Sequence, residues 1–293
     1  MRYTATAEPN RTLIMAIIFV SIVLIVAILT FTISHFVINE NFVLKKTMAL
    51  LLIGSDITNQ VESTADSGTL PKTDTLILTL INPQQHKISL ISIPKDTLTD
   101  IPGYGLDKIN NASALGGYEL TKKAVSVLTG VPVNHYALVN YDGFIKLVDL
   151  LGGIEINVER RMIYTAEDGN LIVKLDPGLQ MLDGKKALEY ARFGNEPMGE
   201  INRGERQRKL LQAFYLKMTQ VGNMVKVPKM INLAKNYVQT DLTSQQITQL
   251  LSLAKQIKTE QGFVSATLPG KFEDGYWQTN PKEVYDLVKR LIN

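Results

Sequence analysis

Cysteine is absent from all 293 residues. That rules out disulfides, thiolate metal centres and cysteine nucleophiles. It also favours a bacterial cell-surface protein over a small exported eukaryotic domain, which often leans on disulfides. Histidine is scarce: His35, His86 and His135 lack the spacing of a metal site, so zinc is not expected. Charge of one sign is missing too. The 31 basic and 28 acidic residues leave a net charge of +3, too little to argue for nucleic acid. There is no GxSxG elbow, no Walker loop and no GxGxxG in the context of a dinucleotide fold.

Against these absences stands one long apolar run. Leu13 to Ile33 contains neither charge nor proline. At about 1.5 Å per residue it is long enough for a bilayer core of about 30 Å, and too long for a cleaved signal peptide. Apolar residues all around the helix argue against a core helix with one buried stripe. The expectation is a cytoplasmic tail over 1–12, a membrane anchor over 13–37 and a globular part over 38–293 outside the cell. Flanking charges, Arg2, Glu8 and Arg11 on one side and Glu40, Lys45 and Lys46 on the other, are close to balanced, so they orient the anchor only weakly. With the globular part outside, DNA is not an expected partner.

Beyond the apolar run, strand and helix patterns alternate. MALLLIG (48–54), TDTLILTLI (73–81) and KISLISI (87–93) read as strands, the last two joined by a turn at Asn82–His86. Residues 106–117 read as a loop, 118–128 as a helix closed by Gly130, 135–140 as a strand, and 141–151 as a helix stopped by Gly152 and Gly153. Asp183 is placed to cap a helix over 185–192, and a longer helix is expected over 203–220. Helices over 243–258 and 281–292 flank a strand at 263–268. The class expected is an α/β sandwich with a central mixed sheet.

The densest chemistry lies in YARFGNEPMGEINRGERQ, residues 190–207. Arg192, Arg203 and Arg206 carry guanidinium forks that match phosphate oxygens. Arg203, Arg206 and Gln207 have i, i+3, i+4 spacing, and a helix starting here would add free N–H groups. Other polar groups sit at ends of expected strands: Asp56, then Lys72 and Asp74, then Lys95 and Asp96. Carboxylates among cations suggest Mg²⁺ bridging to phosphate, with Asp56 and Asp74 as ligands. Bland readings fit the same residues. Asp56 also suits a turn cap, Asp74 a surface ion pair, Asp96 a salt bridge to Lys95 or an arginine, and the arginines a solvated helix face balanced by Glu200 and Glu205.

Taken in order, LLIGSD (51–56), KTDTLIL (72–78), SIPKDT (92–97), KINNA (108–112), LVDLLGGIEI (147–156) and YAR with the downstream RGERQ resemble the LytR-CpsA-Psr family of bacterial envelope proteins. That resemblance implies an α/β sandwich holding a polyprenyl-pyrophosphate lipid. It implies transfer of a glycopolymer, of teichoic acid or capsule type, from undecaprenyl pyrophosphate to a muramic acid hydroxyl of peptidoglycan, and hence membrane anchoring. Carried over position by position, Asp56 and Asp74 support Mg²⁺ or Mn²⁺. Lys72, Lys95, Arg192, Arg203, Arg206 and Gln207 hold the pyrophosphate. Asp74, Asp96, Arg192 and Arg203 serve the reaction, Asp96 either by orienting the phosphate-holding group or by taking the acceptor proton. The expected lipid wall includes Leu210, Leu211 and Phe214. Family members usually carry arginine where Lys72, Lys95 and Gly194 stand, and aspartate where Glu200 stands. Lysine keeps the charge without the planar fork, and glycine has no contact to offer. Non-catalytic lipid binding and pyrophosphate hydrolysis are the implied alternatives.

Overall fold

A computed structural model of the protein describes residues 47–55, 70, 72–165, 171–194, 199–254, 256–257 and 262–292. The apolar run at 13–33 and Asp56 lie outside these residues. Among the described residues no helix is long and apolar enough to cross a membrane.

In chain order the strands are β1 (Met48–Ser55), β2 (Thr75–Asn82), β3 (Lys87–Ile93), β4 (Leu98–Ile101), β5 (Gly105–Lys108), β6 (His135–Asn140), β7 (Ile154–Val158), β8 (Met162–Thr165), β9 (Leu171–Leu175), β10 (Gly178–Leu182), β11 (Val238–Thr240), β12 (Phe263–Thr267), β13 (Lys271–Glu273) and β14 (Tyr276–Gln278). The helices are α1 (Ala112–Thr129), α2 (Tyr141–Leu151), α3 (Gly184–Arg192), α4 (Gly199–Thr219), α5 (Val221–Met224), α6 (Val227–Ala234), α7 (Ser244–Ala254) and α8 (Pro281–Ile292).

Six strands form a mixed central sheet in the order β11-β6-β1-β2-β3-β12. β1 runs antiparallel to β2 and parallel to β6, while β12 runs parallel to β3. The near-continuous apolar strands follow from burial on both faces. Leu51, Leu78 and Ile91 point to one side, where α1 and α8 contribute Ala124, Val125, Val284 and Leu287. Ile77, Ile81, Ile88 and Leu90 point to the other, toward Leu211 and Tyr215 of α4 and Leu250 and Leu253 of α7. Each fully buried Leu or Ile contributes roughly 1.5–3 kcal/mol. A third cluster joins α2, α3 and α4 to the β7–β10 ribbons through Val148, Ile156, Val173, Tyr190 and Leu210.

Local signals explain most boundaries. The Asp183 carboxylate accepts the Lys186 N–H at 2.8 Å and caps α3. Thr243 and Gln246 exchange hydrogen bonds as a capping box at the start of α7. Gly152, at φ 80°, ends α2 in the left-handed conformation that favours glycine. Two expectations need correction. The stretch over 106–117 is not a plain loop: β5 pairs with β4, and α1 begins at Ala112, continuing across a kink where Gly117 has φ 71°. The long helix starts at Gly199 rather than near 203, so Arg203 and Arg206 lie inside it and its free N–H groups come earlier.

Candidate functional site

Strand pairing collects the polar groups at one end of the sheet. Gly54, near the end of β1, pairs with Thr75 at the start of β2 and with Val139 near the end of β6. Leu76 pairs with Ile93, the last residue of β3. Lys72 and Asp74, which precede β2, therefore share this edge with Lys95 and Asp96, which follow β3. Lys72 is exposed; Asp74, Lys95 and Asp96 are partly buried.

α4 crosses the sheet at the same end, close to the backbone of β3. A Cβ on Gly204 would sit 3.1 Å from Ser92 Cβ, and the Ser92 hydroxyl donates to the Gly204 carbonyl at 3.2 Å. This close approach brings Arg203 to β2, where its Nη2 donates to the Asp74 carbonyl at 3.0 Å and pairs with Glu200 at 2.7 Å. One turn on, Gln207 donates to Thr75 Oγ1 at 2.9 Å and to the Ala191 carbonyl at 3.4 Å. Gln207 thus ties the end of α3 to the start of β2. Arg192, the last residue of α3, is exposed and lies over the Tyr141 ring at 5.0 Å.

The i, i+3, i+4 set does not act together. Arg203 and Gln207 reach β2, but Arg206 is only 1% exposed. It pairs with Glu159 at 3.1 Å, donates to the Phe193 carbonyl and lies against the Phe193 ring. Tyr190 donates to the same carboxylate at 3.0 Å. Burial opposes ionisation of Glu159, but hydrogen bonds from its own backbone, Arg206 and Tyr190 outweigh it, and the carboxyl titrates below its ordinary range. The geometry gives Arg206 a positioning place: it fixes Phe193 and the chain that presents Arg192. Asp96 is paired too, with Lys108 at 2.8 Å rather than with Lys95 or an arginine. That hydrogen bond raises the Lys108 ammonium above its usual value, and Lys108 also lies over the Tyr276 ring at 5.4 Å.

Sequence reasoning missed Glu159, Tyr141 and Arg208. Nothing local marks Glu159, which lies 47 residues from Arg206. Arg208 is 6% exposed, donates to Thr267 Oγ1 at 3.1 Å, and burial lowers its proton affinity. Among the described residues no group of three or more His, Asp or Glu is arranged to hold a metal ion. Asp74 alone still suits Mg²⁺, which takes one or two carboxylates and completes its shell with water and substrate phosphate.

Beyond Arg208 the same helix turns apolar. Leu211, Phe214, Tyr215 and Met218, at i, i+3, i+4 and i+7, face Leu52, Thr79, Ile88 and Leu90 of the sheet and Ile247, Leu250 and Ala254 of α7. Together they line a half-open cavity of about 290 Å³. Leu210, expected in this wall, belongs to the third cluster instead, because one residue along a helix turns the side chain by about 100°.

A family model for LytR_cpsA_psr matches residues 32–292. The chain belongs to the LytR_cpsA_psr family. Its relatives in the family include the regulatory protein MsrR of Staphylococcus aureus (strain COL), 34% identical over 231 residues. That match covers 78% of this chain and 66% of MsrR, just under two thirds of the relative. Another relative is the polyisoprenyl-teichoic acid–peptidoglycan teichoic acid transferase TagU of Bacillus subtilis (strain 168), 33% identical over 254 residues, with 84% of this chain and 78% of TagU covered. The crystal structure of B. subtilis TagV superposes with a TM-score of 0.70 at 25% identity, covering 85% of this chain and 96% of TagV. The mixed sheet with helices on both faces is thus the LytR_cpsA_psr fold.

Proposed function

We propose that this protein is a phosphotransferase of the cell envelope. Its donor is a teichoic-acid-type or capsular glycopolymer on a polyprenyl-pyrophosphate carrier, and its acceptor is a muramic acid hydroxyl of peptidoglycan. The observation that carries this reading is the division of α4. Its first half bears Arg203 and Gln207 beside Asp74, and its second half walls an apolar cavity. A diphosphate on a long hydrocarbon chain has the same two-part chemistry. The relationship to a protein named as a teichoic acid transferase gives further support.

In this reading the acceptor hydroxyl oxygen attacks the phosphorus attached to the glycan. The bond from that phosphorus to the bridging oxygen breaks, a phosphodiester forms, and polyprenyl monophosphate leaves with the bridging oxygen. Arg192, Arg203, Lys72 and Lys95 stabilise the charge on the phosphate oxygens, and do so best when fixed beforehand. Arg203 meets that condition through its bonds to Asp74 and Glu200. We assign acceptance of the hydroxyl proton to Asp96, whose carboxylate Lys108 fixes. Asp74, with Asp56 as the second carboxylate, would hold Mg²⁺ or Mn²⁺, which supplies charge neutralisation on the pyrophosphate. The globular part works outside the membrane, with the apolar run at 13–33 as its anchor.

The test is product formation. Full-length protein, Mg²⁺, a polyprenyl-pyrophosphate-linked glycan and peptidoglycan fragments should give the joined phosphodiester. Carrier binding without any exchange of a phosphate bond would replace this reading with a non-catalytic lipid-binding one. Release of glycan phosphate to water alone would make the protein a hydrolase. Gly194 is the feature that favours the binding reading, since it contributes no cation. Among the described residues a Cβ there would meet nothing closer than 3.8 Å, and Arg203 Cδ is 3.9 Å away. Gly194→Arg should therefore fold normally and raise carrier affinity severalfold, checked by titration with labelled carrier; unchanged affinity would separate this position from the phosphate site.

A further inference from the structure

Exposed apolar side chains on the described surface include three separate pairs. Leu106 and Phe272 are 73% and 65% exposed, Leu179 and Met181 are 68% and 51%, and Val221 and Val225 are 87% and 80%. Charge separates them. Leu106 adjoins Asp107, Phe272 adjoins Glu273, and Met181 pairs across the ribbon with Glu155. The valines stand in a stretch with no acidic residue from Arg206 to Thr240, and Lys217, Lys226, Lys229 and Lys235 flank them. Lys229 and Lys235 are exposed, and Lys217 and Lys226 are partly so.

Position separates them as well. α4 runs from Gly204, beside Ser92 at the end of β3, to Tyr215, whose ring packs on Phe263 at 4.9 Å. Phe263 pairs with Ile88 at the start of β3. The helix therefore ends at the edge of the sheet opposite Arg203, where β1 begins at Met48. Met218 lines the cavity, and Val221 follows it three residues later. Val221 and Val225 are one turn apart, Val225 keeping right-handed helical angles at the end of α5.

We propose that Val221, Val225 and the four lysines form a face that docks on an anionic bilayer surface beside the lipid end of the cavity. The valines enter the headgroup region and the ammonium groups pair with lipid phosphates. Contact with the bilayer stands on exposure and charge alone; its use, passing a hydrocarbon chain into the cavity, rests on the function proposed above.

The lack of native cysteine makes a direct test possible. Full-length Val225→Cys, Leu179→Cys and Phe272→Cys proteins, each labelled with an environment-sensitive fluorophore, are reconstituted into vesicles containing phosphatidylglycerol. The label at 225 should shift to blue emission, resist iodide and be quenched by brominated lipid tails, while those at 179 and 272 keep their values in water. Replacing the four lysines by glutamine, or using neutral lipid only, should return the label at 225 toward its water value. A label at 225 as accessible to iodide as the other two, in protein whose urea midpoint matches the parent, would overturn the proposal, as would embedding at 179 or 272 instead. The same Val225→Cys protein is assayed for transfer with carrier dispersed in detergent. Transfer without bilayer contact would reject the docking face and leave the enzymatic reading standing; contact without transfer would do the reverse.

Discussion

The two halves of α4 differ in how they obtain their chemistry. In the first half, charged and amide side chains are held by particular partners: Arg203 by Asp74 and Glu200, Arg206 by Glu159 and Phe193, Gln207 by Thr75. In the second half, Leu211, Phe214, Tyr215 and Met218 share only a stripe, and α7 and the sheet complete the cavity they face. Directional bonds place a few atoms where charge must be met; packing around a space is less selective and tolerates exchange of one apolar side chain for another. In the function proposed above, one helix would therefore fix a headgroup and accommodate a variable tail.

Within the first half, Arg203 and Arg206 look alike in sequence and differ in burial, which gives the sharpest ways to break the comparison. The largest effect expected is on stability. Arg206→Leu leaves the buried Phe193 carbonyl without its donor and removes the pair to Glu159, whose side chain is 36% exposed, and should cost about 1–3 kcal/mol, read as a lower urea midpoint. A midpoint within experimental scatter of the parent would remove Arg206 from the framework. Arg203→Ala should lower the urea midpoint less, because Glu200 is an i, i+3 neighbour with 31% of its side chain exposed and Asp74, whose carbonyl loses a donor, is only partly buried. Carrier affinity should instead fall by about 10- to 100-fold, the loss of one or two charge-assisted hydrogen bonds. An Arg203→Ala protein with a strongly lowered urea midpoint and unchanged carrier affinity would reverse the roles assigned to the two arginines.

The smallest effect concerns acid. Glu159 titrates below its ordinary value of 4.5 in the folded protein. A depressed carboxyl adds stability that is present above the unfolded value and lost as pH falls through the folded one. Between pH 6 and 3 the parent should therefore lose more stability than Glu159→Gln, seen as a steeper fall of the thermal midpoint below about pH 4.5. Parallel curves would mean that the Arg206 pair does not depend on the charge of Glu159.

The difference between the two halves also explains what the sequence made legible. Local chemistry was readable: the strand over 87–93, the helix over 141–151 with its glycine stop, and the Asp183 cap depend on neighbours within a few residues. So was the gathering of Lys72, Asp74 and Lys95 at one end, since each is tied to an element boundary; Arg203 lies inside α4 and joins them because Gly204 packs on Ser92. Features set by distant partners were not readable. Helical spacing put Arg206 with Arg203, but Glu159 draws it into the core. Glycine and asparagine over 106–117 read as loop, whereas pairing with β4 makes a strand of 105–108. The cavity needs α7 opposite α4, and no local pattern announces that contact.

The measurement that bears most directly on this division is carrier affinity as a function of hydrocarbon chain length, in the parent, in Arg203→Ala and in Leu250→Trp, which fills the cavity. The account predicts that affinity in the parent rises with chain length, that Arg203→Ala lowers it by the same factor at every length, and that Leu250→Trp removes the length dependence while sparing the shortest carriers. Affinity independent of chain length in the parent, or equal losses in both variants at every length, would contradict it.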